Sequence, residues 1–135
     1  MPETRSNPRS DQNTPFHRLG GEVVIRRIVD HFYDVMEQDP AAAGIRAMHA
    51  ADLSVMRSKL ADWMIGALGG PPLYAQRPDK GCMVSVHKGY PIGAAERDQW
   101  MACLRKAFDK AGVSDEMRHM LDTPFHDMAD RLRSQ

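Results

Sequence analysis

Six histidines carry most of this chain's chemical potential: His17, His31, His49, His87, His119 and His126. Imidazole is the commonest metal ligand and titrates nearest neutral pH, so each one needs a reading. None forms HExxH, and no two stand four residues apart on one helical face. Cys82 and Cys103 are far apart in sequence and make no CxxC, so a structural zinc site lacks its parts. There is no GxSxG elbow, and no glycine-rich phosphate loop follows a strand. Hydrolase and nucleotide readings fall for want of residues. What remains is a set of single histidines in a chain with ten methionines. Methionine is soft and adaptable, and so many of them fit either an ordinary helical core or the lining of a flat apolar cofactor. A haem would need one neutral imidazole on a short segment that can approach the iron. His87 meets that requirement, since it follows an apolar run and precedes Gly89 and Pro91. Taken alone, such a histidine is more often a packed or surface one.

Positioning these residues falls to helices. Val24, Ile28, Phe32, Val35 and Met36 form a stripe at helical spacing, so the sequence predicts a helix over Glu22–Gln38, between Gly20-Gly21 and Pro40. Pro40 to Met48 is a short Ala-rich stretch. Asp52 is the expected N-cap of a second long helix ending near Leu68. Gly69-Gly70-Pro71-Pro72 stops it, since glycine takes the left-handed cap and proline cannot continue. Residues 71 to 83 read as a loop, long enough to imply a function or a packed position. A third long helix is expected from Gly93 to Ala111 and a fourth from Ser114 to Arg133, kinked at Pro124. Only Val84 to Val86 hints at strand alternation, with no partner strand. The fold class is all-α, with apolar faces wide enough for mutual packing.

Composition narrows the function classes. The chain has 135 residues, room for one domain. Lys+Arg and Asp+Glu are 18 each, so the net charge is zero. That removes the electrostatic footprint of a nucleic-acid binder and of a polybasic membrane anchor. No uncharged stretch reaches the ~20 apolar residues of a membrane span. Two cysteines fit a reducing compartment, and a cytoplasmic location is expected. Residues 1–15 are polar with three prolines and read as a flexible tail, leaving 16–135 as the domain.

At this point the order of landmarks becomes recognisable. Leu19-Gly20-Gly21, Phe32-Tyr33, Gly69-Gly70-Pro71-Pro72-Leu73-Tyr74, His87 and Glu96-Arg97-Asp98-Gln99-Trp100 resemble a truncated haemoglobin of group II, over about Phe16 to Arg133. The resemblance implies a globin-like two-on-two helical sandwich around haem b (iron protoporphyrin IX). It pairs the first two long helices and the last two. It implies His87 as the proximal ligand, with Nδ1–H fixed by a carbonyl. It implies a distal side of Tyr33, His49 and Trp100, all three hydrogen-bond donors to the ligand. Met56, Leu60, Trp63 and Met64 would line the pocket, with Tyr90 a further cofactor contact. Where the family carries arginines before the histidine, this chain has Val84 and Val86. Lys88, Arg77 and Lys80 are then the candidates for the haem propionates, the plain reading of each being a solvated charge.

The implied ligands are dioxygen, carbon monoxide, nitric oxide or peroxide. Three donors slow release, since each bond to a charged acceptor contributes ~1.5–3 kcal/mol. That suits nitric oxide dioxygenase or peroxidase-like chemistry better than oxygen transport. Turnover would require an external reductase, because no flavin or nicotinamide motif is present. A haem-based gas sensor and a helical interaction module without haem are the alternatives, as a monomer or homodimer. No nucleic acid and no membrane is expected as a partner.

Overall fold

A computed structural model describes residues 13–135; Met1 to Gln12 of the expected tail lie outside the described residues. The described residues are helical, with no strand among them. The first helix, α1 (Pro15–Leu19), opens within the stretch read as tail. The Thr14 side chain accepts from the His17 amide at 3.2 Å, and Pro15 fills the first turn, where a missing N–H costs nothing. Gly20 ends α1 at φ +115°, and a Cβ there would meet Val24 Cγ2 at 2.6 Å. Only glycine allows the next helix to start so close.

That helix, α2 (Glu22–Gln38), has the predicted bounds. It buries Ile25, Ile28, Val29, Phe32, Tyr33, Val35 and Met36, one continuous face. Asp39 ends it, and its carboxylate accepts from the Ala41 amide at 2.9 Å and pairs with Lys106. A 3-10 turn (Pro40–Ala42) and the one-turn helix α3 (Ala43–Arg46) follow. The second long helix, α4 (Ser54–Ala67), starts one residue later than Asp52 as N-cap implied. Leu53 takes the cap position, while Asp52 Oδ1 accepts from the Ser54 amide at 2.9 Å. Its end is tied to α1: Phe16 N donates to Leu68 O at 2.8 Å.

The strand hint at Val84–Val86 is overturned. These residues lie in α5 (Met83–His87), a single turn in which Val86 N donates to Cys82 O at 2.9 Å. Without a partner strand, the local helical bond is the one available. Then α6 (Ala94–Lys110) starts with Gly93 N donating to Glu96 Oε1 at 2.8 Å. Finally α7 (Asp115–Arg131) is capped by Ser114, whose hydroxyl accepts from Met117 N at 3.2 Å, and stays helical through Pro124. The architecture is the implied two-on-two sandwich: α2 packs on α4, α6 packs on α7, and α2 crosses α6. Ile25, Ile28, Met64, Ile65 and Ala107 are fully buried at the joint of the layers. No helix among the described residues is long and apolar enough to cross a membrane.

One charged residue is buried among them. Asp62 on α4 is 9% exposed. Its two oxygens accept from Arg26 of α2 and from Arg77 of the 71–82 loop, both at 2.8 Å. Arg77 also donates to Ser58 Oγ at 2.9 Å and pairs with Asp79. Burial pushes the Asp62 carboxyl up, but the bonds from Arg26 and Arg77 outweigh it and hold it below its ordinary value. A depressed folded value means that this stabilisation is full above the unfolded value of ~4 and is lost as pH falls through the folded one. Asp62→Asn is therefore expected to cost about 2 kcal/mol at pH 7, since each guanidinium loses its buried charge partner and keeps only an exposed one. Melting curves of the two proteins should differ at pH 7 and converge on acidification; a gap independent of pH would contradict this.

Candidate functional site

A cavity of about 430 Å³ opens between the two layers, within the usual range for a cofactor site. Its walls come from every long helix. Met56, Leu60 and Trp63 project from α4 at i, i+4 and i+7, joined by Ile92 and by Met128 of α7. Met64 departs from expectation: it is 0% exposed and belongs to the core instead of the cavity wall. One residue past Trp63, it is turned about 100° around the helix axis.

His87 and Tyr33 line this same cavity. His87 is the last residue of α5 and is half-buried. Tyr33 sits mid-way along the buried face of α2 and is 2% exposed. Its ring stands edge-on to Phe32 at 5.0 Å and to His49 at 5.9 Å, with the Arg57 guanidinium 5.9 Å from its centre. Arg57 is itself held by Asp34 at 2.8 Å and by the Asp30 carbonyl at 3.0 Å. No group among the described residues accepts from the Tyr33 hydroxyl. Burial pushes this phenol well above its ordinary value, with Arg57 pulling weakly the other way, so it stays an O–H donor. Trp100 of α6 joins the lining, packed edge-on against Phe32 at 5.2 Å.

His49 also lines the cavity, but in a different chemical state from that expected. Its Nδ1 lies 2.7 Å from the Ile45 carbonyl oxygen. A carbonyl only accepts, so Nδ1 carries the hydrogen and Nε2 of the neutral ring is a lone pair. Burial pushes the imidazole down, against the pull of that carbonyl, which favours the neutral ring. In this tautomer the free Nε2 of His49 is an acceptor, where the resemblance implied a donor.

The basic candidates are redistributed. Lys88 and Lys80 are exposed and outside the lining, and Arg77 is spent on Asp62. Tyr90 lines the cavity mouth at 44% exposure. Lys59 and Arg97 line it too, and sequence reasoning missed both. The signal was available: Lys59 is three residues after Met56 and four before Trp63, and Arg97 is one turn before Trp100. Arg97 is held by Asp130 at 2.7 Å, whereas Lys59 forms no ion pair among the described residues. His17 and His119 are exposed, and no cluster of three potential metal ligands exists among the described residues.

The bacterial-like globin family profile matches residues 14–134. The chain belongs to the bacterial-like globins. Within them it is a group II truncated haemoglobin. The Group II 2-on-2 Hemoglobin from Agrobacterium tumefaciens has a similar structure, with a TM-score of 0.84 and 32% identity, covering 100% of this chain and 99% of that one. The cold-adapted truncated hemoglobin from Pseudoalteromonas haloplanktis TAC125 gives 0.85 and 31%, over 91% and 99%. Group 2 truncated hemoglobin YjbI of Bacillus subtilis is 28% identical over 109 residues, 81% of this chain and 80% of that protein. A globin of this family binds haem, and the cavity suits one. Its walls are mostly apolar, imidazoles line it, and the Tyr33 hydroxyl in its wall has no partner among the described residues.

Proposed function

We propose that this globin holds haem b through His87 and retains dioxygen and related diatomic ligands with hydrogen bonds from Tyr33 and Trp100. The observation that carries the reading is the Tyr33 hydroxyl, on a residue 2% exposed in the cavity wall, which has no hydrogen-bond partner among the described residues. A hydroxyl facing a mostly apolar cavity gains a hydrogen bond of ~1.5–3 kcal/mol when a partly negative ligand is held beside it.

Each residue has a physical task. Bound haem supplies an iron that coordinates the ligand. His87 contributes a neutral imidazole on a segment short enough to adapt to it. Met56, Leu60, Trp63 and Met128 exclude water, which strengthens every polar contact inside. Lys59 supplies positive charge to the propionates in place of Lys88. The Tyr33 O–H and the Trp100 N–H converge on the ligand, and two such bonds retain it. Retention suits ligand chemistry over oxygen transport. Oxidation of nitric oxide to nitrate by dioxygen takes up one electron, which an external reductase would supply. Neither cysteine is in a disulfide, which is consistent with a reducing cytoplasm. Burial pushes the Cys103 thiol up to about 11, so it stays protonated and inert.

The test is an absorption spectrum of the purified protein, ferric and then reduced under carbon monoxide. A strong Soret band that shifts with carbon monoxide is the expected result. A chain that takes up no haem from added hemin would end this reading.

A further inference from the structure

We propose that His49 is the proton acceptor of the cavity and sorts ligands by whether they arrive carrying a proton. The inference rests on the ligand-binding reading above and assigns His49 the opposite polarity to Tyr33 and Trp100.

The argument starts from the Ile45 peptide, which is held on both sides. Its N–H donates to Gln99 Oε1 of α6 at 3.0 Å, and its carbonyl accepts from His49 Nδ1 at 2.7 Å. The peptide cannot turn away without losing both bonds. The imidazole is thereby locked in the Nδ1–H tautomer, and Nε2 is left as a lone pair. His49 lines the cavity beside Tyr33, ring against ring. The charged and titratable groups of the same lining are Tyr33 from α2, Lys59 from α4, Tyr74 from the 71–82 loop, His87 from α5, Tyr90 beyond it, and Glu96 and Arg97 from α6. Arg46, on the preceding turn, spends its guanidinium on the carbonyls of Ala50 and Ala51 and on Glu37. Glu96 is the other acceptor in the wall, but its Oε1 is engaged by the Gly93 amide at 2.8 Å and a free carboxylate is a weaker base than imidazole.

Two ligand classes reach such a cavity. Carbon monoxide, nitric oxide and dioxygen bring no proton. Weak acids HX, such as hydrogen cyanide and hydrogen peroxide, bind a metal as X⁻ and must first lose theirs. An indole N–H cannot take it, and a phenol is a poor base. The His49 Nε2 lone pair can: the H–X bond breaks, an N–H bond forms, X⁻ and imidazolium result, and no electrons change hands. The new Nε2–H then donates to X⁻, so the same residue admits the acid and retains its anion. Without His49 the proton must go to water, which the apolar walls keep out.

The test uses the haem-loaded protein beside His49→Asn and His49→Leu. Asn keeps a donor for the Ile45 carbonyl but has no basic nitrogen, so it separates proton acceptance from local structure. Long-range 1H–15N correlation in the ferrous carbon monoxide form reads the tautomer directly, and a protonated Nδ1 with a bare Nε2 is expected. Cyanide association with the ferric protein is expected to fall about tenfold in both variants, while carbon monoxide association changes by less than about twofold. An Nε2–H tautomer overturns the proposal, as does a parallel change in both ligands' rates. Either result, with carbon monoxide still bound, leaves the functional reading intact. A protein that binds no haem removes both.

Discussion

His87→Gly is expected to lower haem retention by at least about 100-fold, judged against the 10- to 100-fold effect of losing even an outer partner of a metal ligand. The variant removes the one imidazole on the α5 side of the cavity and leaves a gap of imidazole size at the end of that helix. Free imidazole added to the variant should enter the gap and restore the spectrum of the parent. The apolar walls are unchanged, so any residual binding measures burial of the macrocycle without its axial bond. His49→Leu is the control, since it removes the other imidazole of the lining and should keep the haem. If His87→Gly retained a parental spectrum and His49→Leu lost it, the proximal assignment would be wrong.

Tyr33→Phe is expected to speed dioxygen release by about 10- to 100-fold, the equivalent of ~1.5–3 kcal/mol for one hydrogen bond to a charged acceptor. The substitution is close to isosteric. The ring keeps its contacts with Phe32 and His49 in the α2 face, so packing is preserved and the hydroxyl alone is lost. Stability of the ligand-free protein should change little, because the hydroxyl makes no hydrogen bond among the described residues. Stopped-flow displacement of dioxygen by carbon monoxide measures the rate. An unchanged release rate would mean that the hydroxyl points away from the ligand and that Trp100 acts alone.

Much of this was legible in the sequence, and the limits have physical causes. The four long helices follow from 3.6-residue periodicity and from Gly and Pro punctuation, which act locally. Their ends shifted by a residue or two, as at Asp52, where a carboxylate caps the first turn from one position further out. A single turn such as α5 carries too few residues for periodicity, so three alternating positions imitated a strand. Met64 was misplaced because adjacent residues on a helix face different layers, and which layer holds the cavity depends on packing. Lys59 was overlooked although its spacing placed it on the lining face. The Arg77–Asp62 bond joins residues 15 apart in sequence whose meeting depends on the path of the loop. The tautomer of His49 needed a carbonyl position, which no sequence pattern encodes.

The contrast between α2 and α5 has a mechanical consequence. One wall of the cavity hangs on 17 residues of helix whose inner face is fully packed, with Tyr33 braced behind by Arg57. The opposite wall ends in five residues of helix beside exposed Cys82, Ser85 and Val86. Isolated helices that short are barely stable in water. The cavity is thus stiff on one side and compliant on the other. Any displacement imposed from its centre is absorbed on the His87 side, while the hydroxyl and indole keep their aim.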